Sequence, residues 1–145
     1  MRIMALDMGE KRIGVALSDE LLLTAQGLCV VNSKGVEKDL DQIGELIKEY
    51  GVTHLVIGLP RNMNGSYGPM AEKVREFGIR LMEKQPEVPV AYWDERLTTS
   101  AAQRVLVEAD MSRAKRRQVV DKVAAGLILQ GYMDSLARNR ISNQH

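Results

Sequence analysis

The chain has 145 residues, 45% of them hydrophobic and 27% charged, with a net charge of +1. That length suits one domain with a core of its own, and the composition excludes a disordered or fibrous protein. A single cysteine, Cys29, excludes an internal disulfide. No apolar run reaches the length of a membrane span, and Asp7, Glu10 and Lys11 interrupt any signal-peptide core, so the cytoplasm is the expected compartment.

In chain order, Arg2 to Met8 and Arg12 to Ser18 read as two strands joined by a three-residue turn containing Gly9, the spacing of an antiparallel hairpin. The first is apolar on both alternating sets, as in a strand buried on both faces. Gly27 to Val31 is a third strand. Val36 to Tyr50 follows as an amphipathic helix, with Leu40, Ile43, Ile47 and Tyr50 at helical spacing and Gly51 as its terminator. His54 to Gly58 is a short buried strand that feeds a loop rich in turn formers, Leu59 to Gly68. Pro69 suits the first turn of a second helix, which ends before Pro86. Val88 to Trp93 is the last strand. Ser100 and Gln103 resemble a capping box that opens a helix through Glu108. A basic stretch leads into an apolar helix from about Val119 to Leu136, and Ala137 to His145 is expected to be a polar, frayed tail. Three meandering strands followed by alternating helices and strands predict an α/β protein, with helices on both faces of a mixed sheet.

Charge is unevenly placed. Ser112 to Lys122 carries Arg113, Lys115, Arg116, Arg117 and Lys122 against the one acid Asp121. Glu37 to Glu49 carries Glu37, Asp39, Asp41, Glu45 and Glu49 against Lys38 and Lys48. Such polarity can direct one side of a domain at phosphates, or can simply be a pair of solvated faces.

Asp7 is the most informative single residue. A carboxylate at the end of a strand buried on both faces costs several kcal/mol unless something offsets its charge. A metal ion would do so; a local turn cap is the alternative. Glu95 lies just past the last strand, on the face of Ala91 and Trp93 by alternation. Asp121 sits at the margin of the apolar stripe of the final helix, either as a ligand or as a partner of the helix dipole. Ends of strands are where sites form in open α/β sheets. Three acids meeting there would raise one another's pKa, which divalent metal resolves, and oxygen ligands suit Mg²⁺ or Mn²⁺. Two such ions can activate water and stabilise the leaving oxygen in phosphodiester hydrolysis.

Several segments carry a family resemblance: Met4-Ala-Leu-Asp7-Met-Gly9-Glu-Lys-Arg12-Ile-Gly14-Val-Ala, Gly58-Leu-Pro60, Asn64-Gly65, Asp94-Glu95-Arg96-Leu97-Thr98-Thr99 and Asp121-Lys-Val-Ala124-Ala125-Gly-Leu-Ile-Leu-Gln130. Over about residues 1–136 the chain resembles the YqgF (RuvX) family, ribonuclease H-like bacterial proteins described as Holliday-junction resolvases and as nucleases of pre-16S rRNA. The resemblance implies an RNase H-like fold, in which the expected mixed sheet has five strands, three antiparallel and two parallel. It implies a single nuclease domain over 1–136 and a catalytic, metal-holding triad of Asp7, Glu95 and Asp121. In that triad Asp7 would bridge two Mg²⁺ or Mn²⁺ ions. The glycine turn alone also resembles the phosphate loop of actin-like and sugar-kinase ATPases, but those need a second lobe that 145 residues do not hold.

The expected function is therefore metal-dependent hydrolysis of phosphodiester bonds at the 5′ end of pre-16S rRNA. The alternative is resolution of branched DNA, and a non-catalytic nucleic-acid-binding factor is a further one. Arg12 and Arg96 are read either as grips on phosphate or as salt-bridge partners of Asp94, Glu95 or a neighbour. Lys115, Arg116 and Arg117 are expected on backbone phosphates. The partner is structured RNA or branched DNA rather than a membrane, and the protein a monomer or a homodimer. Tyr67 and Trp93 are candidates for stacking on bases; Cys29 and Tyr92 are expected to pack.

Overall fold

The computed structural model describes residues 1–60, 65–94 and 113–143. Five strands form one mixed sheet in the order β3-β2-β1-β4-β5. β1 (Ile3–Met8), β2 (Arg12–Ser18) and β3 (Ala25–Asn32) are the antiparallel meander, while β4 (His54–Leu59) and β5 (Val90–Asp94) continue the sheet parallel to β1. The turn between β1 and β2 is closed by the Gly9 amide, which donates to the Arg12 carbonyl at 2.8 Å.

Alternation on β1 divides the interior into two cores. Met4 and Leu6 join Ile13, Val15, Leu55 and Ile57 beneath α1 (Val36–Tyr50) and α2 (Pro69–Lys84), where Leu40, Ile43, Val74, Phe77 and Leu81 complete the layer. Ile3 and Ala5 face the other way. There they join Ala16 and Val56 beneath Ala125, Ile128, Leu129 and Met133 of α3 (Arg113–Asn143). Helices on both faces of a five-stranded mixed sheet match the expectation from sequence.

Besides one-residue differences at the start of β1 and the end of β4, element bounds differ at four places. β3 begins at Ala25 and ends at Asn32, because pairing with β2 runs from Ser18↔Ala25 to Arg12↔Asn32, past the apolar stretch that marked it. β5 spans Val90–Asp94; before it, the Pro89 carbonyl accepts from Leu55 N–H at 2.9 Å. α3 starts at Arg113 rather than near Val119, since its first turns lack apolar periodicity but are rich in good helix formers. It also continues to Asn143 instead of fraying after Leu136, as an established helix propagates through polar residues. The helix expected from Ser100 through Glu108 lies outside the described residues. Among the described residues, no helix is long and apolar enough to cross a membrane.

Candidate active site

The same alternation that buries Ile3 and Ala5 under α3 turns Asp7 toward that helix. Asp7 is partly buried and stands directly opposite Gly14 in the β1–β2 register. Opposed residues of an antiparallel pair carry their side-chain positions on one face, about 4.5–5.5 Å apart. At Gly14 that position is taken by α3: a Cβ there would fall on the backbone carbonyl oxygen of Asp121. Glycine is thus required at residue 14 because the helix backbone lies directly on the strand. The consequence is positional. Asp121 is brought over the cross-strand neighbour of Asp7, so two acids 114 positions apart in sequence share one face at the carboxyl end of β1.

α3 crosses the sheet obliquely. A Cβ on Gly27 of β3 would lie 2.9 Å from the Lys122 Cβ, and one on Gly131 would lie 3.0 Å from the Trp93 ring of β5. Trp93 also meets Tyr132 edge-on, with ring centroids 6.4 Å apart. Leu6 pairs with Ile57 and Ile57 with Tyr92, so Asp7, Gly58 and Trp93 stand one step further along as a row across three parallel strands. Trp93 therefore lies level with Asp7 and is used for packing against α3. Tyr92, one residue earlier, points to the opposite core; a Cβ on Gly78 would collide with its hydroxyl. Burial raises the Tyr92 pKa against the lowering effect of Arg75.

Arg12 occupies the α3 face two residues before Gly14. Its Nε donates to Asp121 Oδ2 at 2.8 Å, with both side chains partly exposed. The salt-bridge partner of Arg12 is thus an acid of the expected triad itself. Because α3 begins at Arg113, Asp121 falls in its third turn, beyond the reach of the dipole at the first turn. The dipole reading of Asp121 is set aside on that ground.

Glu95 and Arg96 lie outside the described residues, so the structure brings together Asp7, Arg12 and Asp121 of the expected site. Among the described residues, no group of three acids, histidines or cysteines with metal-holding geometry occurs. The backbone of Lys115, Arg116 and Arg117 lies in α3, four to six residues before Asp121 or roughly 6–9 Å along the helix axis; their side chains lie outside the described residues. Tyr67 is exposed and carries the Arg75 guanidinium over its ring, 4.4 Å from the centroid. Cys29 packs on the α1 side, where burial raises its thiol pKa, partly countered by Lys122. His54 opens β4 at the end of the sheet remote from Asp7, with Nδ1 2.8 Å from Thr53 Oγ1.

Gly14 is the residue whose purpose sequence reasoning missed. A glycine inside a strand pattern, two residues from Arg12, is a sign of close backbone approach, but the sequence does not say which element approaches.

Comparison with known proteins places the chain in a family and agrees with its fold. The family model described as RuvX, Holliday junction resolvase, matches residues 1–135. A relative from Heliobacterium modesticaldum is 58% identical over 137 residues, 94% of this chain and 91% of its own length. Another, from Moorella thermoacetica, is 57% identical over 141 residues, 97% of this chain and all of its own. Both bear the name "Putative pre-16S rRNA nuclease". Among solved structures, RuvC of Thermus thermophilus superposes with a TM-score of 0.56 at 13% identity, covering 92% of this chain and 97% of that one. The Fowlpox virus Holliday junction resolvase gives 0.59 at 16%, covering 94% and 99%. At such identities the likeness speaks for the fold, which is RNase H-like.

Proposed function

The chain belongs to the RuvX family, and from that premise we propose that it is a divalent-metal-dependent endonuclease acting in the cytoplasm on the 5′ end of pre-16S rRNA. The observation that carries the catalytic assignment is the seating of Asp121 over Gly14, the cross-strand partner of Asp7. The substrate assignment is supported by the names of relatives 57–58% identical over nearly the whole chain.

The residues fit a hard cation. Asp7 and Asp121 supply carboxylate oxygen from one partly buried face, the donor type that suits Mg²⁺ and Mn²⁺. Glu95 is proposed as the third acid, following β5 on the face of Trp93. Two such ions, when bound, supply Lewis-acid activation of the attacking water and of the leaving oxygen. Asp7 would hold the metal from the central strand of the sheet, at the carboxyl end of β1. Asp121 would hold it from the helix, whose backbone is seated on Gly14, the cross-strand partner of Asp7. Lys115, Arg116 and Arg117 hold the backbone phosphates of the substrate, and Arg12 and Arg96 bind phosphate near the acids. Water can be the nucleophile, so no covalent enzyme intermediate is required.

A second reading is kept for one reason: the family model is that of a Holliday junction resolvase. Symmetric cutting of a four-way junction requires two sites, as in a homodimer, whereas trimming of RNA requires only one. Incubation with Mn²⁺ and either an RNA carrying the 5′ extension of pre-16S rRNA or a four-way DNA junction decides between them. The proposal expects shortening of the RNA by wild type and no cleavage by Asp7→Asn, which retains the fold and the binding of RNA. Junction cleavage without RNA cleavage favours the second reading; equal activity of Asp7→Asn and wild type removes the metal role of Asp7.

A further inference from the structure

Arg12 is held to an acid that the proposed chemistry needs for metal. Its Nε lies 2.8 Å from Asp121 Oδ2, with the two side chains 29% and 21% exposed. A guanidinium stays charged at all ordinary pH. At that distance it takes up a lone pair of the oxygen and places positive charge beside any divalent ion that would bind the same carboxylate. Two cations on one partly buried carboxylate would repel each other, and the repulsion would be screened less than at a free surface. Arg12 also has a way out: it opens β2 directly after the Gly9 turn, and nearly a third of its side chain is exposed. Asp121, by contrast, has its backbone pinned against Gly14. The arginine is therefore the partner that moves.

We infer that Arg12 is a displaceable counter-ion for Asp121: it neutralises and positions the carboxylate in the metal-free protein and leaves it when a divalent cation binds. The inference rests on the metal-dependent reading above. It differs in sign from the familiar outer-shell role, in which a hydrogen-bonding partner raises the affinity of a ligand for its metal. A counter-ion that must be displaced lowers it.

The test is calorimetric titration of Mn²⁺ into wild type, Arg12→Gln, Arg12→Lys and Asp121→Asn, with the thermal midpoint of each taken with and without Mn²⁺. Arg12→Gln is expected to bind Mn²⁺ about two- to five-fold more tightly than wild type, the factor corresponding to an ion pair of this exposure. Arg12→Lys, which keeps the charge, is expected near wild type. Metal-free Arg12→Gln should melt below wild type, with Mn²⁺ narrowing the gap, and adding Arg12→Gln to Asp121→Asn should gain no affinity. Unchanged or weaker Mn²⁺ binding by folded Arg12→Gln overturns the counter-ion role in favour of an orienting one. Absence of Mn²⁺ binding by wild type overturns instead the metal-dependent reading beneath it. A second readout needs no variant. In wild type titrated with Mg²⁺, the Arg12 Nε–H resonance should move saturably away from its hydrogen-bonded position, and a resonance that stays in place contradicts displacement.

Discussion

At the scale of single residues, two glycines separate close packing from open space. Gly14→Ala drives a methyl group into the Asp121 carbonyl, so β2 and α3 must part. Overpacking of this kind costs about 1–3 kcal/mol, and nuclease activity should fall further than stability, because the same contact sets Asp121 against Asp7. Gly126 lies within α3 with nothing within 4 Å of an added Cβ. Gly126→Ala should therefore stabilise by about 0.5–1 kcal/mol through helix propensity alone. Thermal melts of the two variants check both signs; a neutral Gly14→Ala would mean that the helix does not rest on the strand. Asp39 shows what sequence leaves hidden at this scale. It sits in an acidic stretch that reads as solvated, yet it is only 5% exposed. Its carboxylate accepts from Ser33 Oγ at 2.5 Å and from Lys34 N–H at 3.0 Å, tying the end of β3 to α1. Charge patterning reports the average face of a helix, and one inward acid with local donors disappears into that average.

At the scale of elements, α3 joins the candidate site to the proposed substrate grip. One continuous helix carries the basic residues and Asp121, so the backbone spacing between grip and acid is fixed by helix geometry rather than by a loop. Replacing Lys115, Arg116 and Arg117 together by Ala is expected to weaken RNA binding and to lower the slope of log affinity against log salt by roughly 2–3, about 0.7–0.9 for each phosphate no longer neutralised. An unchanged slope would return these residues to the role of a solvated face. The strands were legible because burial on both faces leaves an unbroken apolar signature in β1, and α1 was legible because burial on one face leaves a helical period. The start of α3 was not. Its first turns carry no apolar stripe, and helix propensity without periodicity gives no boundary. The true length of β3 was hidden too, because strand ends held by backbone pairing leave little trace in side-chain pattern.

At the scale of the whole molecule, the sheet keeps two cores apart and sets the candidate site at one edge of the layer beneath α3. The side with α1 and α2 is a conventional apolar layer. The side with α3 mixes Ile3, Ile128, Leu129 and Met133 with the small residues Ala5, Ala16 and Ala125, and Gly14 lets the helix backbone approach the strand closely. The fold is shared with resolvases at 13–16% identity, and a shared fold does not choose a substrate. The sequence pointed to three acids at strand and helix ends, and backbone register explains how two of them come to one face of the sheet. It could not show that Arg12 would pair with Asp121, because that pairing spans 109 positions and depends on where α3 crosses the sheet.

The central claim is that Asp7, Asp121 and Glu95 hold divalent cations in common. Crystals soaked in Mn²⁺ and measured by anomalous scattering test it most directly. The account predicts manganese peaks bound by carboxylate oxygens of Asp7 and Asp121, at roughly the 2.0–2.2 Å usual for small divalent ions, with Glu95 in the same shell. Manganese bound elsewhere, or Arg12 still seated on Asp121 Oδ2 at full Mn²⁺ occupancy of another site, would contradict it.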